Sequence, residues 1–177
     1  GLPQRAVSGE RRSDQAVKTW LGDGFDWTVG ESDFVFRTKN VRVATQAVCA
    51  LHDWLLDDDA QPLNNRWEIY QQHEVAVLSL GMSTTELLVM ANRNQIASLS
   101  ATVPIGLRDM LVRTDSNREI AQIDDLYRNG LLDVSRVRPD HWTRLIGAIE
   151  ERWRLGRWES FGVIICFGGG ALEYRNE

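Results

Sequence analysis

Between Glu86 and Arg108 the chain carries a single charged residue, Arg93, inside a longer weakly charged stretch from His73 to Thr114. A run this apolar has to be buried, and its punctuation limits how. Gly81, the Asn92–Gln95 sequence NRNQ and Pro104 cut it into pieces too short for a long helix. Val75–Leu80 and Glu86–Ala91 are rich in β-formers, and Ile96–Val103 alternates apolar with small polar residues, as a half-buried strand does. Asparagine tolerates left-handed backbone, so NRNQ predicts a hairpin turn. The stretch therefore reads as a β-meander of two or three strands, ended by Pro104, with the flanking segments packed against it.

Those flanks are mostly helical by pattern. Ser13 and Asp14 can cap a short helix over Gln15–Leu21, stopped by Gly22 and Gly24. Phe34–Phe36 reads as a short strand, with Arg37 and Thr38 at its end. From Asn40 as cap, Val41, Ala44, Val48, Leu51 and Leu55 recur at helical spacing and predict a helix over Val41–Leu56. Trp67–Tyr70 is read as extended and Ile105–Val112 as a short helix. Ser116 and Glu119 have capping-box spacing for a helix running to Asn129, before Gly130. Pro139 suits the first turn of a last helix that places Trp142, Leu145, Ile146, Ile149 and Trp153 on one face and ends at Gly156. Phe161–Phe167 is continuously apolar and reads as a buried strand. Strands cluster centrally and helices flank them, so the expected fold is α+β: a single domain over residues 13–177, with a small, mainly antiparallel sheet from 73–103 joined by strands near 34–37 and 161–167. Helices 41–56, 118–129 and 140–155, with one further short helix at most, would cover it. Residues 1–12 are expected to form a flexible arm.

Composition narrows the functional classes. A hydrophobic fraction of 43% and a charged fraction of 25% are ordinary for a globular chain of 177 residues. The net charge of −5 argues against nucleic acid and anionic membrane as main partners. No apolar run reaches the length of a membrane span, and the N-terminus lacks the apolar core of a signal peptide, so a cytoplasmic protein is expected. Cys49 and Cys166 stand in apolar surroundings and are expected as buried free thiols.

No catalytic signature stands out. Gly168–Gly170 follows a predicted strand, where backbone N–H groups can cradle phosphate. It lacks the Lys-Ser/Thr of a P-loop and the G-x-G-x-x-G spacing, so it is read as a flexible turn. Asp53 and Asp57–Asp59 lack a calcium-loop pattern and read as a solvated acidic run. His52, His73 and His141 belong to no zinc spacing, and no G-x-S-x-G occurs. No metal site and no cofactor is expected.

The basic residues are all arginine except Lys18 and Lys39, and seven tryptophans are present. Trp153, Arg154, Arg157 and Trp158 fall in one run, WRLGRW, with the composition of an interface hot spot. The leading expectation is a soluble, non-catalytic protein–protein interaction module of adaptor, immunity or secretion-partner type. It would bind a protein partner or a second copy through this Arg/Trp-rich surface. One enzymatic alternative rests on residue order. Arg37 after Phe36, then Ser83-Thr84-Thr85, then Glu173 resembles the R-S-E pattern of ADP-ribosyltransferases. The resemblance implies that Arg37 holds a cofactor phosphate, Ser83 braces the site and Glu173 stabilises an oxocarbenium-like ribose. It departs from the family in lacking Gln/Glu-x-Glu, since ALEYRNE offers Glu173 and Glu177. A small-ligand pocket beside the sheet is the third reading.

Overall fold

The computed structural model describes residues 13–22, 24–154 and 158–175. The predicted arm 1–12, the stop at Gly156, Arg157 and Glu177 lie outside the described residues, as do the side chains of Ser13 and Asp14.

The chain begins with helix α1 (Ser13–Gly22) and a two-stranded ribbon, β1 (Phe25–Val29) and β2 (Ser32–Phe36), paired antiparallel with Phe25 opposite Phe36 and Trp27 opposite Phe34. Helix α2 (Gln46–Leu55) follows. It starts later than the apolar stripe suggests because Thr45, not Asn40, is the cap: its side chain accepts the Val48 N–H at 3.3 Å. Trp67–Tyr70, expected extended, lies in helix α3 (Asn64–Gln72). The three-residue spacing of Trp67 and Tyr70 sets both rings on the sheet-facing side, 5.7 Å apart, and that packing overrides their β-propensity.

The weakly charged block supplies the centre. β3 (Glu74–Leu80) and β4 (Thr85–Ala91) pair antiparallel, Leu80 opposite Thr85. The NRNQ turn forms as predicted, with Asn92 and Arg93 at φ of 49° and 65°, and leads to β5 (Asn94–Gln95). The third predicted strand shrinks to β6 (Ala101–Val103), paired with β4. Ser100 explains the loss. Its hydroxyl accepts the Val89 N–H at 3.1 Å and donates to the Ile96 carbonyl at 2.9 Å, curling 96–100 into a turn instead of a ladder.

After α4 (Leu107–Thr114) comes α5 (Ile120–Arg128). Glu119 is its cap residue and makes no side-chain capping bond, so the Ser116–Glu119 box does not form. Helix α6 (Arg138–Trp153) has Pro139 in its first turn, as expected. A 3-10 turn (Trp158–Ser160) leads to β7 (Phe161–Phe167), and α7 (Gly169–Glu173) closes the described chain.

β7 corrects the expected antiparallel sheet. It lies parallel to β3, with Ser79 beside Phe167, and the order is β5-β4-β3-β7 with β6 also on β4. The sheet is mixed because the β3–β7 connection runs through β4–β6 and three helices, the long crossover that a parallel pair requires. Phe34–Phe36 belongs to the separate β1–β2 ribbon. Both faces of the larger sheet are covered. Ala76, Leu78, Leu80, Leu87 and Val89 pack against Met110, Leu111, Ile123, Leu145, Ile149 and Trp153, while Val75, Val77 and Leu88 meet Ala47, Leu51, Leu55 and Tyr70. Two-sided burial is why β3 reads as a continuous apolar run. Among the described residues no helix is long and apolar enough to cross a membrane.

Candidate functional site

The parallel register of β3 and β7 brings their carboxyl ends to the same edge of the sheet. β3 exits into Gly81–Thr84, closed by the Gly81 N–H bonding the Thr84 carbonyl at 3.0 Å. β7 exits into Gly168–Gly170. The two turns are pressed against each other. A Cβ at Gly168 would stand 2.6 Å from the Leu80 carbonyl oxygen, and one at Gly170 2.7 Å from the Leu80 Cβ. Gly168 also has φ of 94°, which only glycine adopts without strain. From behind, α4 is stitched to the first turn: the Leu107 and Arg108 N–H groups bond the Gly81 and Met82 carbonyls at 3.1 and 2.7 Å.

A cleft of about 630 Å³ opens over this edge. One wall is α2, which presents Gln46, Cys49, Ala50 and Asp53 at helical spacing; the opposite side is Ser79, Gly81, Phe167, Gly168 and Gly169. Open sheets with parallel strands characteristically take ligands outside the carboxyl ends of those strands. Cys49 and Asp53 also border a neighbouring groove formed by Leu56, Asp57, Asp58 and Arg66, which has no strand ends in it. There Asp57 Oδ1 is engaged by the Asp59 and Gln61 N–H groups at 3.0 and 2.8 Å, so it shapes a loop. Among the described residues no group of three or more His, Cys, Asp or Glu side chains stands together to hold a metal. Cys49 and Cys166 are unpaired, as expected, but exposed rather than buried.

His141, on α6, is buried behind the cleft. Its Nε2 donates to the Gly106 carbonyl at 3.0 Å, and Nδ1 accepts from the Tyr174 hydroxyl at 2.6 Å. A carbonyl can only accept, so the ring proton sits on Nε2. Burial pushes the imidazole below its ordinary pKa, against the opposing pull of the Gly106 bond and of Asp109 at 3.9 Å. His141 thus ties α6, α7 and the α4 entry together around the turns.

Apart from Ser83, the described residues singled out by sequence fall elsewhere. Arg37 lies on the ribbon and pairs with Asp26 at 2.5 Å, a contact that holds the Asp26 carboxyl below its usual range. Ser83 sits in the first glycine turn, where its hydroxyl accepts from Arg108 at 3.4 Å. Glu173 accepts from the Tyr127 hydroxyl at 2.6 Å, and its carbonyl accepts from Arg138 at 2.8 Å. Each of the three spends its polar atoms on different partners. Trp153 is fully buried, its indole N–H donating to the Leu99 carbonyl at 2.9 Å and its ring edge-on to Trp158 and Phe161. The tryptophans of WRLGRW therefore serve the core, with Arg154 exposed beside them. Sequence reasoning passed over Gly81 and Gly168–Gly170 as working residues. Each follows an apolar strand run, the one signal available, but only the parallel pairing puts them together.

No protein-family model matches the chain, and no curated protein matches it. Solved structures do. The chain is similar to Ta0583, an archaeal actin homologue, with a TM-score of 0.71 at 18% identity, over 97% of this chain and 57% of that one. The ADP complex of Ta0583 gives 0.69 at 20% identity, over 98% and 60%. The apo ParM protein of pSK41 gives 0.67 at 16% identity, over 99% and 52%. The chain has an actin-like fold and spans somewhat more than half the length of these structures. That finding overturns the expected non-catalytic interaction module and, with it, the ADP-ribosyltransferase alternative. The supposed Arg/Trp surface is built around a core tryptophan, Trp153.

Proposed function

We propose that this chain is the nucleotide-binding part of an actin-like protein and takes an adenine nucleotide in the cleft between α2 and the two glycine turns. The observation that carries the reading is the pairing of Gly81–Thr84 with Gly168–Gly170 at the carboxyl ends of two adjacent parallel strands. Backbone N–H groups of these turns would hold the phosphates. The polar groups of the α2 wall, Gln46 and Asp53, can hydrogen-bond a sugar or base, and Phe167 offers an apolar surface. The ADP complex of Ta0583, similar over 98% of this chain, supports the choice of ligand.

Calorimetric titration with ADP tests the reading. The expected result is saturable one-site binding with a Kd of about 1 mM or tighter. Ala50→Trp, which fills the cleft from a partly exposed helix position, should weaken it at least about tenfold without changing the circular dichroism spectrum. Binding that ignores Ala50→Trp would move the site elsewhere.

A further inference from the structure

The β1–β2 ribbon has an unusual distribution of side chains. In the antiparallel register Phe25, Trp27 and Val29 share one face with Phe34 and Phe36. Trp27 stacks on Phe34 with centroids 5.7 Å apart, Phe25 lies 6.2 Å from Phe36, and Trp20 of α1 sits edge-on to Phe25 at 5.3 Å. The opposite face carries Asp26, Thr28, Asp33 and Val35, with the Thr28 hydroxyl donating to Asp33 at 2.7 Å and Arg37 paired with Asp26. The ribbon is therefore amphipathic apart from Val35 on the polar face, yet its apolar face is open: Trp20 is 62% exposed, Trp27 48%, Val29 63%, Phe34 45% and Phe36 45%. A two-stranded ribbon is marginal in water until such a face is covered.

We propose that this aromatic face seats on the same face of a second copy of the chain, two ribbons packing as a small sandwich about a two-fold axis. Area and charge both favour a second copy. The exposed part of these five side chains is about 500 Å² per copy, judged from the size of aromatic residues, which is as large as apolar patches on monomers become. Two copies would bury about 1,000 Å², the lower bound of a specific interface. The face holds no charged side chain, so a two-fold pairing opposes no like charges, while Asp26, Asp33 and Arg37 stay in water. Isologous pairing also puts the same self-complementary surface on both partners. This inference does not depend on the nucleotide reading.

Sedimentation velocity across a concentration series tests it, together with hydroxyl-radical footprinting of Trp27 and Phe34. The expected result is a reversible monomer–dimer equilibrium with a Kd of about 1–100 µM, and protection of both rings that grows with the dimer fraction. Val29→Lys, at the end of the apolar face and outside the stacked pairs, should weaken the dimer at least about tenfold, and Trp27→Lys should do so as strongly. Val35→Lys, on the polar face, should change it less than about twofold. A monomer at every concentration overturns the proposal, whether the rings are reactive or already protected. Protected rings in a monomer would mean that polypeptide of the same molecule covers them. Equal effects of Val29→Lys and Val35→Lys overturn it as well.

Discussion

Two antiparallel hairpins among the described residues, β1–β2 and β3–β4, are both rich in apolar side chains and meet different fates. β3–β4 is buried on both faces, between α2 and α3 on one side and α4–α6 on the other. β1–β2 alternates apolar with polar residues and carries more aromatic rings, yet its apolar face is open. The difference lies in what surrounds each hairpin. β3 is flanked by β4 and β7, and its neighbours are joined by helices that fold back over the sheet. β1–β2 has α1 packed at one end, through Trp20 on Phe25. Alternation fixes which side chains share a face; the layers around it decide whether that face is buried.

Paired substitutions can break or sharpen this contrast. The largest effect is expected in the core. Trp153→Ala should cost about 3–5 kcal/mol in urea denaturation, from a fully buried ring and its bond to Leu99. Trp27→Ala, on the open face, should cost less than about 1 kcal/mol in dilute monomer. A comparable loss at Trp27 would mean that the ribbon is covered in the monomer.

Glycines give a second pair, since Gly168 and Gly30 both have positive φ. At Gly168 a methyl group also collides with the Leu80 carbonyl, while at Gly30 nothing lies within 4 Å. Gly168→Ala should therefore cost about 2–4 kcal/mol. Gly30→Ala should cost about 1 kcal/mol, from backbone strain alone. Chemical denaturation of both variants checks the difference.

A third test concerns the clamp behind the cleft. Burial lowers the His141 pKa in the folded chain, so the unfolded chain binds the proton more tightly. Stability contributed by neutral His141 is present above the ordinary histidine pKa of about 6.5 and is lost as pH falls through that value toward the lower folded one. The slope should approach, and not exceed, about 1.4 kcal/mol per pH unit for one proton. His141→Gln should remove this component of the profile between pH 7 and 5, although it is less stable at pH 8. A similarly small effect is expected at the start of α2, where Thr45→Ala removes one cap and should cost about 1 kcal/mol.

The sequence carried the local part of this fold well. The apolar runs of β3, β4 and β7, the left-handed turn at Asn92–Arg93 and the face of α6 containing Leu145, Ile149 and Trp153 are all set by spacing and side-chain type. β1 escaped because Phe25, Trp27 and Val29 were not paired across Gly30 with Ser32–Phe36. The direction of β7 could not be read, because parallel and antiparallel partners require the same apolar run. The candidate site was lost for that reason. Gly81 and Gly168 are 87 positions apart, and only the parallel register makes them neighbours. Trp153 misled for a different reason: an aromatic between arginines has the composition of an interface, but helical phase turns that ring toward the core.

The central claim, that the paired glycine turns form a nucleotide cradle, is tested most directly by backbone amide hydrogen exchange of the whole chain with and without ADP. The account predicts slowed exchange concentrated at Gly81–Thr84, Gly168–Gly170 and the cleft-facing residues Gln46–Asp53, with the β1–β2 ribbon unchanged. Protection confined to the groove around Asp57, Asp58 and Arg66, or no change at either glycine turn at saturating ADP, would contradict it.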